Sequence, residues 1–136
     1  MKQYLVLAFC TTFVLLTSGC TLSYPLEYTV HISDCNRSLT DGYYKLNRTR
    51  WDSFVLNYTR SYYCEQSELR VSAFFNQSKI IVTEELFVGT HVTGCTCPRM
   101  ITVVVRHLRH GNYTIEVRDY NYMKNRKPVF TQDITV

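Results

Sequence analysis

The chain contains 136 residues, which is the size of one domain. Its formal net charge of +4 is mild rather than strongly basic, and nothing in the composition favours a nucleic-acid partner. Six cysteines and eleven tyrosines stand out, and these residue types direct attention to export and to protein recognition.

The N-terminus has the layout of a secretory signal peptide. Lys2 supplies a positive charge, residues 4–16 are mostly apolar and residues 17–19 are small, which predicts a signal peptide at 1–19 and one domain at 20–136. The apolar run is shorter than the roughly 20 residues of a membrane span, although a signal anchor is the alternative. No later apolar run approaches that length, so we expect a secreted protein without a transmembrane anchor.

The same N-terminal region allows a second interpretation. The string LTSGC resembles a bacterial lipoprotein cleavage site, in which Cys20 would carry lipid, so a bacterial surface lipoprotein is an alternative. Five Asn-x-Ser/Thr sequons without a central proline instead favour a glycosylated eukaryotic or viral product. The predicted glycosylation sites are Asn36, Asn47, Asn57, Asn76 and Asn112.

Four cysteines remain in the predicted domain, since Cys10 lies in the signal peptide and Cys20 at its cleavage site. An even number in a small exported domain predicts two disulfides. The four are Cys35, Cys64, Cys95 and Cys97. Cys95 and Cys97 are too close in an extended segment to pair with each other, so each should reach back to an earlier cysteine, and both connectivities stay open. No metal site is expected, because zinc would need a second closely spaced pair.

The composition of the chain and the spacing of its turn residues predict an all-β fold. Tyr, Val, Thr, Ile and Phe dominate, and convincing helical periodicity is absent. Turn signals recur about every 8–12 residues, which is typical of a sandwich or barrel. The predicted strands are 27–32, 43–47, 53–58, 68–75, 80–83, 87–95, 101–106, 113–118 and 129–136.

Strand alternation tests the sequons, because a glycan must leave from the polar side of a strand. Asn76 and Asn112 fall opposite the apolar side chains of their predicted strands, as they should. Asn57 instead falls on the same side as Trp51, so a bulge, an exposed Trp51 or an unglycosylated Asn57 must explain it. Trp51 is the only tryptophan, and we expect it to anchor the core, with an interface role as the alternative.

Tyrosine pairs at predicted strand ends are candidates for a recognition surface, although ordinary strand composition would also explain them. The predicted partner-contact residues are Tyr62, Tyr63, Tyr120, Tyr122 and Arg126. Two basic runs, 106–110 and 124–127, are expected to be solvated loops, and contact with an acidic partner or a cell-surface polyanion is the sharper alternative.

No arrangement in the sequence indicates catalysis. The four histidines lack an orienting partner in sequence, and no serine or cysteine lies in a nucleophile motif. The adjacent pair Glu84 and Glu85 should point to opposite faces of a strand. We therefore expect no enzyme and no cofactor.

The run ITVVVRHLRHGNYTIEV resembles strands E and F of an immunoglobulin domain. Tyr113 would be the corner tyrosine, although Ile115 stands where such domains have a cysteine. The segment PVFTQDITV resembles strand G, and Cys35 followed by Trp51 is similar to the cysteine of strand B and the tryptophan of strand C. The resemblance implies an immunoglobulin-like β-sandwich with non-standard disulfides.

Degenerate domains of this kind, rich in sequons and with displaced cysteines, resemble immunomodulatory glycoproteins of large DNA viruses. The tryptophan-and-cysteine glycoproteins of cytomegaloviruses and the conserved-region domains of adenovirus early glycoproteins are the families concerned. The resemblance implies a protein that engages a host immune receptor, ligand or cytokine, and it transfers no binding residues to this chain.

A rival resemblance rests on the string VTGCTCPRM. It is similar to the end of interleukin-17-type cystine-knot cytokines, in which two closely spaced cysteines bridge to an earlier strand. That family has an earlier close pair of cysteines and ends soon after the motif. Here the upstream cysteines are single and about forty residues follow, enough for three or four strands of ~5–6 residues each. The cytokine-like ligand is therefore the alternative to the sandwich.

Overall fold

A computed structural model of the chain describes residues 25–64, 67–89, 94–120 and 127–136. The predicted signal peptide and Cys20 lie outside these residues. The described residues form strands without a helix, so the all-β prediction is confirmed. The strands are β1 Glu27–Ile32, β2 Tyr44–Arg50, β3 Ser53–Tyr63, β4 Ser67–Asn76, β5 Lys79–Val88, β6 Thr96–Arg106, β7 Asn112–Arg118 and β8 Phe130–Thr135. This part of the chain therefore offers no helix that is long and apolar enough to cross a membrane.

The eight strands form two sheets of four. Sheet 1 has the order β1-β6-β3-β2 and sheet 2 the order β4-β5-β7-β8. Neighbouring strands are antiparallel except β5 and β7, which run parallel with Lys79 opposite Thr114. A parallel pair needs a long crossover connection, and here the chain passes through β6 of the other sheet between them.

The core lies between the sheets, and period-two alternation supplies it from both sides. The inward side chains of sheet 1 come mainly from its central strands, β3 and β6, and those of sheet 2 from its central strands, β5 and β7. The buried residues that these strands contribute to the core are Phe54, Leu56, Tyr58, Tyr62, Ile101, Val103, Val105, Ile80, Val82, Ile115 and Val117. Central strands carry the core because both of their edges and one of their faces are covered.

Strand β6 begins five residues earlier than the sequence predicts, at Thr96 rather than at residue 101. Pro98 favoured a late start, since proline cannot donate a hydrogen bond within a sheet. The carbonyl of Pro98 accepts a hydrogen bond of 3.0 Å from the backbone of Asn36, beyond the end of β1, so the proline nitrogen faces away from β3. The ladder between β3 and β6 therefore continues uninterrupted through Ser61 opposite Pro98.

The predicted strand at 87–95 is wrong as a separate element. Phe87 and Val88 instead end β5, which pairs with β4 along ten residues. Residues 90–93 lie outside the described residues. The sequence places a break after Thr83 because Glu84 and Glu85 interrupt the apolar pattern, but Glu84 points into the fold and the strand continues.

Both disulfides predicted from the Cys-x-Cys pair are present. Cys35 pairs with Cys97 and Cys64 pairs with Cys95, so each of the closely spaced cysteines bridges to an earlier one. Strand β3 ends where β6 begins, which brings all four cysteines to one end of the sandwich. We call this the disulfide end, and the opposite end, at the turn between β2 and β3, the Trp51 end.

Trp51 does not anchor the core. It lies in the two-residue turn between β2 and β3, and 62% of its surface is exposed. The core prediction is therefore wrong, because it used side-chain size where the backbone of the turn decides exposure. The indole stacks on the imidazole of His110, with ring centroids 5.9 Å apart and planes 20° from parallel.

Candidate functional site

The sequons occupy one sheet face, one loop and one end of the sandwich. Asn47 and Asn57 lie on the outer face of sheet 1, where their Cα partners are Val55, Lys45 and Thr102. The exposed Trp51, together with a register shift in β2, resolves the conflict in the sequence pattern, and Asn57 points outward. Its side-chain oxygen accepts a hydrogen bond of 2.8 Å from the hydroxyl of Thr102.

Two other sequon asparagines use their side-chain oxygen in the same way. The oxygen of Asn36 accepts hydrogen bonds from the backbone and hydroxyl of Ser38, at 3.0 and 2.7 Å, and the oxygen of Asn112 accepts one of 2.8 Å from Thr135. Glycosylation takes place on the amide nitrogen, which is a donor and does not take part in these bonds. Asn76 is exposed at the turn between β4 and β5.

Sheet 2 presents an aromatic surface on its outer side. Phe74 and Phe87 point outward from β4 and β5 and are 42% and 47% exposed. The guanidinium of Arg70 lies 4.8 Å from the centre of the Phe87 ring and forms an ion pair of 2.8 Å with Glu68. We call this surface, defined by Arg70, Phe74, Glu85 and Phe87, the β4–β5 face.

A shallow depression of about 770 Å³ lies in the β4–β5 face and continues to the end of β7. It is lined by Ser72, Phe74, Thr83, Glu84, Glu85, Leu86, Phe87, Arg118, Asp119 and Tyr120. The hydroxyls of Ser72 and Thr83, two of these lining residues, are 2.8 Å apart. An aromatic surface with charged groups at its edge is the composition that protein interfaces favour.

The charges beside this depression are paired. Glu116 lies between Lys79 and Arg118, with nitrogen–oxygen distances of 3.1 and 2.6 Å. Burial alone would raise the pKa of Glu116, but hydrogen bonds from Arg118 and Lys79 outweigh burial and lower it. Glu116 is therefore ionised at neutral pH and fixes both cations on the outside of sheet 2.

Beneath the β4–β5 face, polar side chains meet inside the sandwich. Arg60, from β3, forms an ion pair of 2.6 Å with Asp119, which follows β7. Glu84, from β5, is only 4% exposed and lies among Tyr58, Tyr62 and Arg60. We call these five residues the buried polar cluster.

Glu84 is under-satisfied within this cluster. Neither of its carboxylate oxygens forms a well-aligned hydrogen bond with any described residue, and the same holds for the Tyr58 and Tyr62 hydroxyls. Burial raises the pKa of Glu84 to about 7, and the two nearby tyrosine hydroxyls and Arg60 offset only part of that effect. Burial, with the Glu84 carboxylate second, raises the pKa of the Tyr58 and Tyr62 hydroxyls as well.

A carboxyl group with a pKa near neutrality is a common mark of a catalytic site. Here the group is enclosed between two sheets, so a substrate would have little access to it. Among the described residues, no three His, Cys, Asp or Glu side chains are placed to hold a metal ion. The cluster lies between the two sheets and contributes to their packing. The absence of catalysis stays a prediction.

The predicted contact tyrosines differ in burial and position. Tyr62 is 1% exposed and packs inside against Tyr120, with ring centroids 6.1 Å apart, so it offers no surface to a partner. Tyr63 and Tyr120 are partly buried at the disulfide end. Tyr122 and Arg126 lie outside the described residues.

Sequence reasoning missed the two phenylalanines of the β4–β5 face. The signal was present for Phe74, since alternation along β4 places it opposite Ala73 and Phe75 and therefore outward. Phe87 was assigned to a strand that does not exist, so its side could not be read. An exposed phenylalanine on the polar side of a strand is the pattern that identifies this surface.

Comparison with known proteins gave no match: no family model, no curated protein and no solved structure is similar to this chain.

Proposed function

We propose that the chain is a secreted glycoprotein that binds a host immune receptor, ligand or cytokine and so modulates immune signalling, as a viral decoy or immune-evasion protein does. The observation that carries the proposal is the pair of exposed phenylalanines, Phe74 and Phe87, on the β4–β5 face. The half of this face nearer the disulfide end contains no sequon. Two disulfides are typical of proteins made for an oxidising, extracellular setting.

The placement of the sequons supports a choice of face. Sugars on Asn47 and Asn57 would cover the outer face of sheet 1, and sugars on Asn76 and Asn112 would stand at the Trp51 end of sheet 2. The surface around Phe87 and Arg70 is then the accessible sheet surface. Aromatic residues and arginine are the residue types that carry most binding energy in protein interfaces.

An immunoglobulin-like origin has support of its own. The hydroxyl of Tyr113 donates a hydrogen bond of 2.9 Å to the carbonyl of Arg109, four residues upstream, which is the bond of a tyrosine corner. The parallel pairing of β5 and β7 departs from the antiparallel sheets of immunoglobulin domains. We therefore propose a divergent member of that architecture.

A substitution that adds a sugar tests the binding face directly. Arg70→Asn creates an Asn-Val-Ser sequon with Val71 and Ser72 in the middle of the β4–β5 face. Binding of the purified protein would be measured by biolayer interferometry against an array of extracellular immune receptors and cytokines. We expect a partner whose affinity falls at least about tenfold, equivalent to ~1.4 kcal/mol, when mass spectrometry shows the added glycan.

Arg70→Gln is the matched control, because it removes the same charge without creating a sequon, and it should lose much less affinity. Asn47→Gln removes a sugar from the opposite sheet and should leave affinity unchanged. Unchanged affinity with the sugar on residue 70 would show that the β4–β5 face is not the contact surface. Binding to no immune protein in the array would contradict the function itself.

The cytokine-like alternative shares the bridging of both closely spaced cysteines to cysteines earlier in the chain. An agonist of that kind would signal through its receptor and be a dimer, so size-exclusion chromatography of the deglycosylated protein distinguishes the two. A bacterial lipoprotein would carry lipid on Cys20 and no sugar, which mass spectrometry of the mature N-terminus detects.

A further inference from the structure

The Trp51 end carries a concentration of positive charge that the proposed function does not use. Two loops meet there, the turn between β2 and β3 and the connection between β6 and β7. Leu108 joins them, because its side chain is 2% exposed and its backbone amide donates a hydrogen bond of 2.9 Å to the carbonyl of Asp52. The two loops therefore present one continuous surface.

Arginines from both loops border a depression in this surface. Arg50 and Arg106 are exposed and, together with His107, line a depression of about 250 Å³. Two carboxylates lie close by: Asp52 also lines the depression and Glu27 is the cross-strand partner of Arg106. Both contact His107, Glu27 at 3.6 Å and Asp52 at 3.8 Å. Neither Arg50 nor Arg106 forms an ion pair with a residue that the structure describes, so both guanidinium groups are available to an anion.

The turn is held in a fixed shape beside the depression. Arg48 donates hydrogen bonds of 3.1 and 3.3 Å to the carbonyls of Arg50 and Trp51. Its guanidinium therefore stabilises the turn. Trp51, which follows Arg50 in the chain and has His110 stacked on it, adds a flat and exposed aromatic surface to this end. This end therefore combines two arginines that form no ion pair with a described residue and one exposed aromatic ring, that of Trp51.

We propose that the Trp51 end binds a linear sulfated polysaccharide. A guanidinium forms two parallel hydrogen bonds to an oxyanion such as a sulfate group, which suits Arg50 and Arg106. The electron-rich face of an indole attracts the slightly positive C–H groups of a sugar ring, which suits Trp51. Charge and platform together fit an anionic sugar chain.

An acidic protein is the other ligand that such charges could attract, and the surroundings disfavour it. Sequons begin at Asn47, Asn76 and Asn112 around this end. A stable protein contact buries about 800 Å² on each partner, and sugars on these asparagines would obstruct a footprint of that size. A polysaccharide chain needs only a narrow strip. The exclusion of a protein ligand rests on the glycosylation that the proposed function assumes. The argument from the charges of Arg50 and Arg106 does not depend on glycosylation.

Binding is tested with immobilised heparin, desulfated heparin and hyaluronan, using the secreted protein with and without its sugars. We expect the protein to elute from heparin at a much higher salt concentration than from desulfated heparin or hyaluronan. Removal of its own sugars should not change that salt concentration. For Arg50→Ala with Arg106→Ala, the slope of log affinity against log salt should fall by roughly 1.5, as for loss of two counterion-releasing contacts. Trp51→Ala should weaken binding with an unchanged slope.

Arg70→Gln removes one positive charge, as Arg50→Ala or Arg106→Ala alone does, and should leave heparin binding unaltered, since Arg70 lies on the β4–β5 face. Equal losses from Arg70→Gln and from either single substitution of Arg50 or Arg106 would overturn the proposal by showing a response to net charge alone. A loss confined to substitution of Lys124, Arg126 and Lys127 would overturn it by placing the site elsewhere. Binding of an acidic protein but not heparin at Arg50 and Arg106 would also overturn it. None of these results depends on an immune partner.

Discussion

The two ends of the sandwich are stabilised by different means. The disulfide end has two covalent links, the ion pair of Arg60 with Asp119 and the under-satisfied Glu84 between the sheets. The Trp51 end has no disulfide among the described residues and is closed by the buried Leu108 and by backbone hydrogen bonds. The comparison shows that covalent links lie where the interior is polar, and apolar packing suffices where it is not.

The largest expected effect comes from removing the disulfides one at a time. In the chain-entropy relation, a link between residues 31 apart contributes about 3.7 kcal/mol. The Cys64–Cys95 loop lies inside the Cys35–Cys97 loop, so with the other link intact each removal costs a similar loop-closure term. Cys97 is also buried, whereas Cys64 and Cys95 are partly exposed. We therefore expect Cys35→Ala with Cys97→Ala to lower the free energy of unfolding more than Cys64→Ala with Cys95→Ala, in urea titrations. The reverse order would show that the burial of Cys97 does not set the difference between the two links.

At the Trp51 end, Leu108→Ala should destabilise by about 3 kcal/mol, because a buried leucine leaves a cavity when truncated. Leu39→Ala is the matched control at the disulfide end, where Leu39 is only partly buried and should cost less. Thermal or urea unfolding would measure both. A Leu108→Ala variant as stable as the native protein would mean that the Trp51 end is held by its backbone hydrogen bonds alone.

The buried polar cluster predicts a pH dependence specific to the disulfide end. The pKa of Glu84 is about 7 in the folded protein and near 4.5 when unfolded, so the folded protein binds the extra proton between these values. The stability that this proton contributes should therefore be fully present below about pH 4.5 and be lost, on the order of 3 kcal/mol, as pH rises to 7. The lowered pKa of Glu116 affects stability in the opposite sense. The stability that ionised Glu116 contributes is lost as pH falls below 4.5, which is below the range in which Glu84 acts.

Glu84→Gln isolates this effect, since the amide has nearly the same shape and does not titrate. The variant should lose the decline in melting temperature between pH 4.5 and 7 and be at least as stable as the native protein at pH 7.5. If the native protein and the variant have parallel pH profiles, Glu84 does not carry a raised pKa.

The smallest expected change in stability is that of Trp51→Ala. An exposed side chain outside the core usually contributes within ±0.5 kcal/mol, so the melting temperature should hardly move while heparin binding weakens. A loss above about 2 kcal/mol would restore the tryptophan to a structural role. Fluorescence supplies an independent check, because a solvent-exposed indole emits at longer wavelength than a buried one.

Much of the fold could be predicted from local pattern. Strand β1 was predicted with the observed bounds, and β7 and β8 to within a residue at each end, because hydrophobic alternation and turn residues carry that information. The binding surface could not be predicted to the same degree. Alternation within the predicted strand 68–75 already places Phe74 outward. Tyr62 lies beyond residue 58, where its strand was predicted to end, so only the observed bounds of β3 show that it points inward.

The sequence by itself determined that the chain forms strands, that two disulfides involve these four cysteines and that Cys95 and Cys97 do not pair with each other. Those properties follow from residue type and from the two-residue period of an extended chain. The tertiary structure alone decided which earlier cysteine each one meets, that β5 runs parallel to β7 and that the largest side chain lies in a turn. These outcomes depend on which strands become neighbours, a long-range choice that no local pattern encodes.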